Sequence, residues 1–418
     1  MGQHGKTITH MSMAGAIAGL VMSCLPAAAQ DAMKFGLCYD LSKSYAFISP
    51  QVSQAAQDLA ALANMKGGIG GHPVEVIVQD TGNEPQRGVE CYERLKQQGV
   101  FVFEPLSTPV SIALLPRITK DKNILMSPLA GRADAVDGKV FEQIFPFGPT
   151  YWAQAANIVE YLKQERGGDL KGAKIAFFYI DYPFGQEPIK MLQTVAKQEG
   201  FDLGLFPFPL PGNDQSSVWT QIRRYNPDSI IAWAFSNMHA VASREMKRNG
   251  IPTSKYVSVN WLNEVDIANI GAENAKGIRR STPVAGGQDN ALVQEIIAEL
   301  YDKDKGAGPR KNVYDVYYNT GLMFYSIAFE GVRLAIEGEG WPVTPASMKK
   351  GLESIEEFDA DGLIAPVTIT AKDHGGGGKT RIEEWDGEKW VAKSDWIVGY
   401  EDLVWSTVEE SASTFKLD

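Results

Sequence analysis

The chain has 418 residues, 22% of them charged and 44% hydrophobic, with a formal net charge of -11. That balance, with no offsetting lysine or arginine cluster, argues against nucleic acid, whose phosphates attract basic faces. The length exceeds one typical domain, so two lobes are expected; three cysteines and five histidines without zinc spacing leave no metal centre, and no cofactor is expected.

Residues 1–29 have a Lys6-bearing start, an apolar stretch from Met11 to Leu25 and a Pro-Ala-Ala-Ala end, the layout of a secretory leader cut after Ala29. A cut before Cys24, leaving a lipid anchor, is the alternative, although Met22 fits a lipobox poorly. The stretch is shorter than the about 20 apolar residues that span a bilayer. Past it, Cys38 in an apolar strand and Cys91 on a helix are expected as two unpaired buried thiols, with a bridge between them as the alternative.

Between Met33 and Pro116 the segments KFGLCYDLS, HPVEVIVQDTGNEP and FVFEPLSTPVSIALLP alternate strand, loop and helix, which predicts a parallel α/β sheet. Ligands bind such sheets beyond the carboxyl ends of the strands, where Tyr39, Asp40, Ser107 and Thr108 fall. Thr108, before Pro109, can cap a helix, and a helix start suits a carboxylate. FPFGPT, 145–150, reads as a crossing point. A second series follows, with strands AKIAFFYI, FDLGLFPFPL, SIIAWAF and KYVSVNW and helices over 188–199, 217–225 and 240–249. Beyond Pro283 the pattern changes to helices over 291–303 and 313–337, with Thr344 opening a shorter one at Pro345. From Ala365 onward VTIT, TRIEEW and KWVAK alternate as strands, turning at 373–378 and at Asp386-Gly387, and predict a final hairpin on the second lobe.

The run ALANMKGGIGGHPVEVIVQDTGNEPQRGVECYERL resembles the signature of periplasmic binding proteins of the leucine/isoleucine/valine-binding type. ILMSPLAG at 124–131, IAFFYIDYPFG at 175–185, 229–235 and 314–330 keep the family order over most of the mature chain. The resemblance implies an α/β fold of two doubly wound parallel-sheet lobes joined by a three-crossing hinge. It places 30–149 with 282–355 in lobe one, and 150–281 with 356–418 in lobe two. It further implies a periplasmic, monomeric, non-enzymatic protein that binds a small carboxylate-bearing solute between closing lobes for an ABC permease of the inner membrane.

By the same resemblance, lobe one grips the carboxylate through Ser107 and Thr108 and through Ser127, Leu129, Ala130 and Gly131. Glycine stands near the threonine that relatives use, leaving Arg132 as a substitute donor. Lobe two supplies Tyr182, Phe235 and Ser236. Trp261 falls where amino-acid-binding relatives place the glutamate that pairs with the ligand ammonium, unless Glu264 takes that place. With Tyr39, Tyr45 and Phe47 as further rings, the expected solute is a benzoate- or cinnamate-like acid, with a branched-chain amino acid as the alternative. A sensor module for a signalling receptor and an amidase are rival readings. GGGGKT at 375–380 lacks the first glycine of a phosphate loop and reads as a flexible hairpin tip; Glu356-Glu357 and Glu383-Glu384 read as solvated pairs.

Overall fold

The computed structural model describes residues 1, 2, 5, 31–126, 132–287 and 289–416. The rest of the leader over 1–29, with Cys24, and the expected ligand residues Ser127, Leu129, Ala130 and Gly131 lie outside the described residues. Residues 32–418 form one compact unit.

The first sheet is wholly parallel, built from β1 (Met33–Tyr39), β2 (Val74–Asp80), β3 (Val102–Glu104), β4 (Ile124–Met126) and β5 (Ile144–Phe145), in the order β2-β1-β3-β4-β5. β1 is buried almost throughout, the near-continuous apolar run of a strand covered on both faces. The second sheet repeats the plan with β6 (Lys174–Ile180), β7 (Asp202–Phe208), β8 (Ser229–Trp233), β9 (Tyr256–Ser258) and β10 (Arg279–Thr282). β11 (Arg381–Trp385) and β12 (Trp390–Ala392) extend it antiparallel, so its order is β12-β11-β10-β9-β8-β6-β7. In each sheet the strand that starts the series, β1 or β6, has its successors on opposite sides. That reversal opens a crevice at the strands' carboxyl ends, and this fold has it twice.

The chain passes between the sheets after β5, after β10 and before β11. After β10 it returns to the first sheet through helix Val316–Glu339, which packs on helices Ser49–Met65 and Pro345–Leu352. Gly321 permits that approach, since a β-carbon there would stand 2.9 Å from the Val52 backbone. Asp315 and Thr344 cap these two helices, and the helix expected over 291–303 ends at Glu299 before a separate turn over Tyr301–Lys303.

Several expectations are corrected. Cys38 and Cys91 are joined in a disulfide, with their Cα atoms 5.9 Å apart. Apolar context does not distinguish a buried thiol from a buried bridge, because both are dry. VTIT forms no strand beyond an isolated bridge from Val367 to Phe358. The glycine run is not a flexible tip: the Asp373 carboxylate accepts from the backbone N–H groups of Gly375, Gly376 and Gly377, and His374 beside it is fully buried. The β11–β12 hairpin forms, but the chain goes on into helix Glu401–Ala412.

Candidate functional site

The crevices of the two sheets face one another across a cavity with about 830 Å³ of free space, its mouth included. Ser44, Tyr45, Phe47 and Ile48 reach it from the loop after β1, Asn83 from the loop after β2, and Leu106 and Thr108 from the segment after β3. The opposite wall holds Tyr182 and Phe184 after β6, Leu210 after β7, Phe235 after β8 and Trp261 after β9. Tyr151, first residue of helix Tyr151–Glu165, closes the side nearest the crossing at 145–150.

The first wall is shaped by backbone hydrogen bonds. Asp40, buried at the tip of β1, accepts from the N–H groups of Ser42, Lys43 and Tyr45 at 3.2, 2.8 and 2.9 Å, curling the loop so that Tyr45 and Phe47 point into the cleft. Ser107, rather than Thr108, caps helix Thr108–Asp121: its hydroxyl accepts from Val110 N–H at 3.4 Å and donates to Asn83 Oδ1 at 2.6 Å. Thr108 is thereby turned to the cavity, against the Tyr45 hydroxyl, whose pKa is raised mainly by burial.

The second wall is shaped by rings. Phe47 reaches across the cleft and stacks on Phe235, centroids 5.3 Å apart and planes 12° from parallel, and meets Trp261 edge-on at 6.2 Å. Trp261 donates its indole N–H to the Tyr151 hydroxyl at 2.9 Å. Its carbonyl is 2.7 Å from His239 Nε2, which must be the donor there, so His239 Nδ1 accepts from the Tyr256 hydroxyl at 2.9 Å. Burial keeps that imidazole neutral, its pKa pushed down to about 4.

Behind Phe47 and Trp261 stands Tyr317, packed edge-on against both at 5.9 and 5.8 Å. Beyond it lies a carboxylate cluster. Glu264 accepts from Val316 N–H at 2.8 Å and faces the fully buried Arg280 at 3.4 Å, while Asp315 accepts from Asn263 Nδ2 at 2.8 Å. Burial first, then the charge of Glu264, raises Asp315. Glu264 is thus held by the helix start at Val316 and by Arg280, while Trp261 forms the cavity wall.

Of the residues expected from sequence, Tyr45, Phe47, Thr108, Tyr182, Phe235 and Trp261 meet at the cavity. The others among the described residues lie off its wall. Tyr39 is buried in the first core with its hydroxyl on Glu104, beside Tyr325, and burial pushes Glu104 up to about 7. Ser107 acts behind the wall as the cap. Arg132 pairs with Asp134 at 3.0 Å and lies over the rings of Phe141 and Phe415. Ser236, with φ of 55°, turns the chain so that its carbonyl accepts from His239 N–H at 3.1 Å. Tyr151, Phe184, Leu210, Leu106, Asn83, Ser44 and Ile48 were not expected, although Asn83, Leu106, Phe184 and Leu210, just past β2, β3, β6 and β7, carried a positional signal. No charged side chain lines the cavity among the described residues, and none of them form a metal-binding group of three or more His, Cys, Asp or Glu.

The model of a family described as periplasmic binding protein matches residues 32–389. Leu/Ile/Val-binding protein homolog 7 of Brucella suis biovar 1 is 23% identical over 248 residues, 58% of this chain and 61% of that protein, so the match spans less than two thirds of this relative. A crystal structure described as an ABC transporter permease from the Pseudomonas fluorescens group superposes with a TM-score of 0.86 at 32% identity, covering 92% of this chain and 96% of that one. A solute-binding protein of an ABC transporter from R. palustris, solved in complex with benzoate, superposes with a TM-score of 0.70 at 17% identity over 89% and 99% of the two chains.

Proposed function

The chain belongs to the periplasmic binding protein family, and from that premise we propose that it is the extracytoplasmic substrate-binding component of an ABC importer. Its cargo on this reading is a small aromatic carboxylic acid, benzoate- or cinnamate-like, taken up between the two lobes and presented to a permease in the inner membrane. The observation that carries the choice of cargo is the cavity wall: seven rings, Tyr45, Phe47, Tyr151, Tyr182, Phe184, Phe235 and Trp261, and no charged side chain among the described residues.

A planar apolar ring gains stacking and edge contacts from such a wall, about 0.5–1.5 kcal/mol per aromatic pair beyond its burial. The carboxylate goes to the polar end formed by Ser44, Asn83 and Thr108, beside the start of helix Thr108–Asp121. An α-ammonium group finds no carboxylate on the wall among the described residues: Trp261 is an indole, and Glu264 is committed to Val316 and Arg280. Stripping water from an unpaired charge costs several kcal/mol, so an amino acid is disfavoured against its desamino analogue. The Cys38–Cys91 disulfide agrees with an oxidising compartment outside the cytoplasm.

A thermal-shift panel tests the cargo. Benzoate and cinnamate are expected to raise the melting temperature more than leucine or valine. A panel won by branched-chain amino acids would replace this cargo with the one in the name of the Brucella relative.

A further inference from the structure

We propose that the C-terminal segment 399–415 is a strap that holds the two lobes in the closed arrangement and sets how readily the cleft opens. The segment lies beyond the region matched by the family model, which ends at residue 389, and follows the β11–β12 hairpin.

Its first end is fastened to the second lobe. Gly399 N–H donates to Asn157 Oδ1 at 2.7 Å, and a β-carbon at 399 would stand 2.7 Å from the Ala156 carbonyl oxygen, so only glycine lets the backbone lie directly on helix Tyr151–Glu165. Helix Glu401–Ala412 then runs over the crossing segments, where Trp405 and Val408 line a hollow shared with Gly148, Thr150 and Asp373, and Lys372 lies 4.9 Å over the Trp405 ring.

Its far end is fastened to the first lobe. Ser411 donates to Asp134 Oδ2 at 2.9 Å, and Ala412 joins the buried cluster that contains Cys38, Cys91 and Phe141. Phe415 packs on Phe141 with centroids 4.6 Å apart, under the Arg132 guanidinium at 4.3 Å. Hydrogen bond, ring pair and cation–π contact together make a socket rather than a sliding surface.

A helix is a rigid rod of about 1.5 Å per residue, and the anchors at Gly399 and Phe415 flank its two ends closely, so together they hold the separation of what they grip. Rotation of the lobes about the three crossings therefore requires one end to let go. The gripped arrangement is the one in which Phe47 of the first lobe already stacks on Phe235 of the second.

Spin labels at Ile112→Cys and Val265→Cys, exposed positions on the first and second lobes, read the interlobe distance in the ligand-free protein. A Cys24→Ser background leaves the remaining native cysteines in their disulfide and unlabelled. Deleting 400–418, and separately Phe415→Ala, is expected to raise the ratio of long to short distances about tenfold, while Phe415→Tyr, which keeps a ring in the socket, stays near the parent value. Melting curves on the same samples separate loss of the strap from loss of the fold, and Phe415→Ala keeps the helix that the deletion removes. An unchanged distance distribution in folded Phe415→Ala overturns the proposal, as does equal widening by Phe415→Tyr. The readout needs no solute, so it stands or falls separately from the identity of the cargo.

Discussion

The two walls of the cleft repeat one strand order and solve different problems. In the first lobe, Asp40 and Ser107 spend their oxygens on backbone N–H groups, which fixes loops and leaves a polar end at Thr108 and Asn83. In the second, rings hold one another, with His239 and Tyr151 fixing Trp261 at its carbonyl and its indole N–H. For the proposed cargo, a carboxylate needs donors whose positions are set before it arrives, and capped loops are suited to supply them. An aromatic ring needs only shape and apolar surface, and packed side chains supply those.

The largest expected effect sharpens the asymmetry of support. β1 is tied to helix Pro85–Lys96 by the disulfide, across a sequence separation of 53 residues. Loop-closure entropy puts the loss for Cys38→Ala with Cys91→Ala at about 4 kcal/mol, read as a fall in the urea midpoint. The loss should appear in hydrogen exchange of the first sheet before the second.

The lobes should also respond to pH with opposite slopes. Glu104, in the first core, has its folded pKa raised to about 7 by burial, so its stabilising contribution is complete below the ordinary carboxyl range and is lost as pH rises through about 7. His239, in the second, is lowered to about 4, so its contribution is present above about 6.5 and is lost as pH falls through about 4. Each shift corresponds to about 3 kcal/mol. The two windows overlap between the folded and ordinary pKa values, so denaturation curves over about pH 4–7 should show Glu104→Gln removing a fall of stability with rising pH and His239→Gln removing a rise; the reverse assignment would break the comparison.

Trp261→Ala should weaken binding of an aromatic acid by about 1–3 kcal/mol, measured by calorimetry, as expected for a buried ring in a binding centre. An unchanged dissociation constant would remove the second wall from the site. The smallest effect belongs to the first wall: Ser107→Ala removes a helix cap and the hydroxyl that orients Asn83, a loss of about 1 kcal/mol in stability.

Thr108, Tyr182, Phe235 and Trp261 reached the cavity because they sit just past strand ends, with Tyr45 and Phe47 on the loop after β1, and strand ends are visible as the points where apolar runs stop. The same rule misplaced Tyr39, the last residue of β1, since the side chains of a strand alternate and this one faces the core, where Glu104 and Tyr325 meet its hydroxyl. Arg132 reads as a free cation along the chain, yet the neighbouring Asp134 and Phe141 hold it together with Phe415 from the far end of the sequence. Phe47 was legible as one more ring near a tip; its stack on Phe235, across 188 positions of chain, was not.

Local pattern therefore determined the alternation of strands and helices, the two parallel series, the crossing at 145–150 and the lobe-two rings Tyr182, Phe235 and Trp261. Those features rest on neighbouring residues and on periodicity, which a linear string preserves. Tertiary structure alone decided the Cys38–Cys91 bridge, the course of the final helix, the commitment of Glu264 to Val316 and Arg280, and which rings close the cavity. Each of these depends on distances between residues far apart in the chain, and side-chain chemistry by itself carries no record of such distances.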